Sequence, residues 1–64
     1  MSNDNIEIST LWEEIKVLVE TIEIDIKKNV AGNKSAGVRA RKGLRQLKKN
    51  ANDLVKSSIS NDKV

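Results

Sequence analysis

Lys28-Asn29-Val30-Ala31-Gly32-Asn33-Lys34-Ser35 decides how this chain folds, because its Ala31-Gly32-Asn33 core is the only helix-breaking cluster in the interior of a 64-residue sequence without proline. Gly32 can take the left-handed conformation that closes a helix, and Asn33 can cap the next one with its side-chain oxygen. Two helices joined by a tight turn follow. The expected elements are a first helix over about 8–30, a turn at 31–33 and a second helix over about 34–58. Residues 1–64 are then a single hairpin domain with frayed, polar ends at Met1 to Asn5 and Ser57 to Val64.

Upstream of the turn, Thr10-Leu11-Trp12-Glu13 reads as a capping box, and Asp4 with Glu7 offers an earlier start of the same kind. At about 100° per residue, Ile8, Leu11, Trp12, Ile15, Leu18, Val19, Ile22, Ile26 and Val30 gather on one face. Val17 and Ile24 fall on the opposite side among Glu13, Glu20 and Lys27. They are either incidental surface aliphatics or part of a second contact.

Downstream, the inner stripe is Ala36, Ala40, Gly43, Leu44, Leu47, Ala51, Leu54 and Val55. Half of these positions are Ala or Gly, so a neighbouring backbone can come close and the bulky first helix can fill the gap. The fold class is therefore all-α, an antiparallel two-helix hairpin. A chain this short buries a small share of its surface, so a lone hairpin comes out thin. Dimerisation into a four-helix bundle is expected, with Leu11, Trp12, Ile15, Leu18, Val19, Ile22, Ile26, Ala40, Leu44, Leu47 and Leu54 as core and dimer residues.

Charge is split along the same boundary. Met1 to Ile26 holds seven acids and one base, and Lys27 to Val64 holds eleven bases and two acids, so a net +3 conceals halves of −6 and +9. A field of that sign favours polyanions, and nucleic-acid phosphate is the first partner to test. The far side of the second helix carries Val38, Arg41, Lys42, Arg45, Lys49 and Lys56, with Lys48 on the flank and Arg39 on the other edge, and Arg41, Arg45 and Lys49, spaced i, i+4, i+8, make a continuous basic ridge. No acid occurs between Lys27 and Asn52 to pair with them. Guanidinium suits phosphate, and a merely solvated face more often interleaves Glu with Lys.

Other chemistries are poorly served. There is no cysteine and no histidine, so the usual metal ligands and the near-neutral proton shuttle are missing. Glu13, Glu14, Glu20, Glu23 and Asp25 read as a solvated acidic face, and no catalytic residue, metal or cofactor is expected. Gly32-Asn33-Lys34-Ser35 lacks the GxxxxGK[ST] pattern of a phosphate cradle and reads as capping, with Lys34 in support of the ridge. Trp12, the one aromatic, suits packing better than base stacking. The longest apolar run is Val17-Leu18-Val19, far from a membrane span. A soluble, cytoplasmic protein without a small-molecule substrate is expected.

The run Gly32-Asn33-Lys34-Ser35-Ala36-Gly37-Val38-Arg39-Ala40-Arg41-Lys42-Gly43-Leu44 resembles the motif of the bacterial linker-histone-like nucleoid proteins, of the chlamydial histone-like type and its short Bacteroidetes relatives. In those proteins a G-N-K-A-A-G-x-R-x-R-K core follows an acidic amphipathic helix. The likeness extends in layout over about residues 10–58. It implies a DNA-associated, nucleoid-located protein with a self-associating helical domain, and carries Lys34, Arg39, Arg41 and Lys42 over as motif cations. Arg45, Lys48 and Lys49 extend the set by helical geometry. The chlamydial proteins end in a long Lys/Ala-rich tail credited with DNA binding, whereas this sequence ends at Ser57-Ser58-Ile59-Ser60-Asn61-Asp62-Lys63-Val64. The helical domain itself would have to grip DNA, and the short relatives also lack the tail.

The expected function is sequence-independent, non-enzymatic binding of double-stranded DNA through the phosphate backbone by a homodimer or higher homo-oligomer, contributing to chromosome organisation. The alternative is a protein-interaction module in which acidic and basic helices pair.

Overall fold

The computed structural model describes the backbone of residues 3–62 and the side chains of residues 7–62. Two helices, α1 (Asn3–Val30) and α2 (Lys34–Asp62), pack as an antiparallel hairpin 49 Å long, and there are no strands among the described residues.

The turn works as its residues dictate. Gly32 has φ +106°, a conformation that a side chain would make costly, and its amide donates to the Asn29 carbonyl at 2.9 Å. The Asn33 amide donates to the Lys28 carbonyl at 3.0 Å, so two of the last carbonyls of α1 are satisfied by a Schellman closure. Asn33 then caps α2, its Oδ1 accepting from the Ala36 amide at 2.9 Å. Asn29 adds a clamp, with Nδ2 donating to the Asn33 carbonyl at 3.3 Å.

Both helices overrun their expected outer ends. α1 begins at Asn3 instead of Ile8, and α2 continues to Asp62 instead of Ser58. Thr10 lies within α1, so the capping box expected there does not mark a helix start. Nothing between Asn3 and Thr10 breaks a helix, and the two extensions run beside each other at the open end, where Ile8, Ser58 and Asn61 are half-buried. Of the ends expected to fray, Asn3 to Asn5 and Ser57 to Asp62 are helical, while Met1, Ser2, Lys63 and Val64 lie outside the described residues, as does the Asp4 side chain on which the earlier capping pair depends.

Ile15, Ile22, Ala36 and Ala40 form the buried apolar centre. The helices pack tightly where α2 has no side chain. A Cβ on Gly43 would sit 2.7 Å from Ile22 Cγ1, and one on Gly37 would run into the Asn29 amide, 2.9 Å from its Cγ. Gly43 thus admits Ile22, the large-against-small pairing expected from the two stripes. Leu11, Leu18, Leu47 and Leu54 are half-buried. Trp12, Val19, Ile26 and Leu44 remain exposed in the lone hairpin, Trp12 by 51%. Val17 and Ile24 are exposed on the outer side of α1.

Candidate nucleic-acid interface

Because α2 packs through Ala36, Ala40, Gly43 and Leu47, its opposite side must carry whatever the helical period leaves, and that is mostly cationic, interrupted by the exposed Val38 and Asn52. Lys34, Arg41, Lys42, Arg45, Lys48, Lys49 and Lys56 are all exposed. None of them takes part in an ion pair among the described residues. At 1.5 Å per residue, Arg41 to Lys49 spans about 12 Å and Lys34 to Lys56 about 33 Å. The longer figure is close to one turn of duplex DNA, about 34 Å. Unpaired cations on a rigid rod of that length suit a chain of phosphates, because none has to give up a protein carboxylate first.

Arg39 is placed differently. Its Nε donates to Asp25 Oδ1 at 3.1 Å, and the Asp25 side chain is only 14% exposed. The contact ties the middle of α2 to the last turns of α1 and draws the guanidinium toward the seam between the helices, away from the ridge. Sequence reasoning set Arg39 on the other edge of α2 and missed Asp25 as its partner. The signal available was the antiparallel register, which puts residue 25 opposite residue 39 once Gly32 closes the turn.

Two acids of α1 are engaged by lysines of the same helix. Glu13 meets Lys16 at 2.8 Å and Glu23 meets Lys27 at 3.5 Å. Gly37, whose buried position holds α2 against Asn29, was also missed as a packing residue. The sequence pattern had placed it outside the inner stripe, where only its lack of a side chain could have revealed it.

No group of His, Cys, Asp or Glu suited to a metal ion occurs among the described residues. No helix among them is long and apolar enough to cross a membrane. Two shallow grooves flank the seam between the helices. One is lined by Trp12, Ile15, Ala51, Leu54, Val55, Ser58 and Ile59, and the other by Thr10, Glu13, Glu14, Val17, Leu18, Thr21, Gln46 and Asn50.

A protein-family model described as histone H1-like protein Hc1 matches residues 9–63. Comparison with curated proteins and with solved structures gives no match.

Proposed function

Because the chain belongs to the Hc1 family of histone H1-like proteins, a DNA-binding and non-enzymatic kind of protein located in the nucleoid, we propose that it binds duplex DNA through the phosphate backbone, using the outer face of α2. The observation that carries this reading is the row Arg41, Lys42, Arg45, Lys48 and Lys49, exposed and without carboxylate partners among the described residues of the hairpin. Lys34 and Lys56 extend it in both directions. Arg39 acts as a positioning residue through Asp25. Each lysine or arginine that meets a phosphate releases condensed counterions, and that release supplies affinity without reading sequence. Base recognition is not part of the proposal, because α2 offers cations and few of the amide side chains that match base edges.

The working unit is a homodimer. Trp12, Val19, Ile26, Leu44 and Val55 are large apolar side chains left open on the hairpin, and a second copy covering them gives a four-helix bundle with two basic ridges. Three to four phosphates met per ridge make about six to eight per dimer.

Fluorescence anisotropy with two duplexes of equal length and unrelated sequence tests the proposal. Affinities within about twofold of each other, falling together with salt, support it. A strong preference for one sequence, or no binding at low salt, defeats it.

A further inference from the structure

The hairpin has two long faces, and they differ in kind. Along one run Trp12, Val19 and Ile26, seven residues apart on α1, beside Leu44, Ala51 and Val55 on α2, all exposed. The groove on the other face is lined by Glu14, Thr21, Gln46 and Asn50 beside Val17 and Leu18, so its surface is mostly carbon but only two large apolar side chains contribute to it. A second copy therefore belongs on the apolar face, and its placement there rests on the homodimer already proposed as the working unit.

Two-fold symmetry offers two ways to stack these faces. With the axis along the helices, α1 of each copy lies over α2 of the other, and both turns are at the same end. With the axis across the helices, α1 lies over α1, α2 over α2, and the turns are at opposite ends. Neighbouring helices run antiparallel in either case, so helix dipoles do not choose between them.

The charges beside the apolar face do choose. On α2 that rim carries Arg41 and Lys48, seven residues apart and without acid partners among the described residues. On α1 it carries Glu20 and Glu23 with Lys16 and Lys27, two lysines already met by Glu13 and Glu23. The crosswise stack presses the cations of two α2 helices together with no acid between them. The lengthwise stack sets each α2 rim against an α1 rim. Within the hairpin Ile22 lies against Gly43 and Asp25 against Arg39. The same levels put Glu23 beside Arg41, and Glu20 midway between Arg41 and Lys48, of the second copy, while Lys16, held by its own Glu13, comes level with Lys48.

We propose that two copies stack with the two-fold axis along the helices, so that the basic ridges face outward on opposite edges of the bundle and one dimer links two DNA duplexes. Arg45, Lys49, Lys42 and Lys56 stay on the outer edge, free for phosphate, while Arg41 and Lys48 are shared with the rim. The acidic first helix thereby gains a role: it neutralises the partner's rim and leaves the two ridges apart. The crosswise stack would merge both ridges into one wall for one duplex.

The chain has no cysteine, so Ala31→Cys places a single spin label at the exposed turn of the full-length protein. Pulsed dipolar spectroscopy on the dimer then reads the turn-to-turn distance. Helices 8–10 Å apart put the labels about 15–30 Å from each other in the lengthwise stack. The crosswise stack puts them near the 49 Å length of the hairpin. Bridging is read separately, as recovery of a free labelled duplex on beads carrying a second duplex. Recovery at least tenfold above the protein-free level is expected. Ala51→Glu, an exposed position at the centre of the apolar face, should still bind duplex in anisotropy but lose that recovery.

A turn-to-turn distance above about 40 Å overturns the stacking and leaves DNA binding intact. A short distance with no recovery of the second duplex overturns the bridging. A monomer mass at micromolar concentration removes the dimer and this inference with it, and absence of duplex binding defeats the underlying functional reading.

Discussion

Replacing Arg45 and Lys49 together by alanine should weaken duplex binding by an amount that counterion release fixes in advance. Both side chains are exposed, neither is in an ion pair among the described residues, and both point away from α1. Alanine is also the best helix former, so α2 should hold its shape. Each phosphate contact contributes about 0.9 to the slope of log Kobs against log salt. At about 0.1 M salt that corresponds to roughly 1.2 kcal/mol per contact, taking 1.36 kcal/mol per tenfold change. Losing two contacts should cost about 2.4 kcal/mol, or roughly sixtyfold in Kd, and should make the slope shallower by about 1.8 for each ridge engaged. Anisotropy titrations at four salt concentrations measure both quantities, and far-UV circular dichroism checks that helix content is unchanged. A folded double variant with the wild-type slope would mean that these two residues touch no phosphate, and the ridge would lose its role.

Other consequences come from the packing. Arg39→Ala leaves Asp25 half-buried without its partner and should cost about 0.5–1.5 kcal/mol, a fall of several degrees in Tm for a domain of this size. Its effect on duplex affinity should be smaller than that of Arg45→Ala, as thermal melts and anisotropy in parallel would show. Gly43→Val should overpack a tight helix contact, where even a Cβ would sit 2.7 Å from Ile22 Cγ1, and lower stability by about 1–3 kcal/mol. Adding Ile22→Ala should recover part of that loss in urea unfolding, giving a double-variant cost below the sum of the singles. Trp12, the one tryptophan and 51% exposed in the hairpin, should shift its emission to shorter wavelength as concentration rises through the dimerisation range. A spectrum constant from nanomolar to high micromolar protein would place Trp12 outside any dimer contact.

How far the molecule is legible in its sequence depends on whether a feature is local. The turn was readable because Gly32 and Asn33 carry its chemistry within two residues, and the second helix starts where Asn33 caps it. The stripe of Ala36, Ala40 and Gly43 announced a close helix approach, which the Ile22 contact realises. The outer ends were less readable, because Asn3 to Glu7 and Ser58 to Asp62 have modest helix preference and extend alongside each other. The ion pair between Arg39 and Asp25 spans fourteen residues and exists only after the chain has folded back. For that reason the sequence counts Arg39, on the other edge of α2, with the phosphate-binding cations, while its guanidinium hydrogen-bonds Asp25. Gly37 was hidden by the opposite effect: a residue without a side chain shows its packing role only through the neighbour, Asn29, that occupies its space.

Mapping backbone amide shifts by NMR while a random-sequence duplex is titrated in locates the DNA contact most directly. The largest changes should fall on α2 between Arg41 and Lys49, extend toward Lys34 and Lys56, and shrink together as salt is raised. Changes centred instead on Glu13 to Glu20 of α1, or on Trp12 and Val19 alone, would contradict binding through the outer face of the second helix.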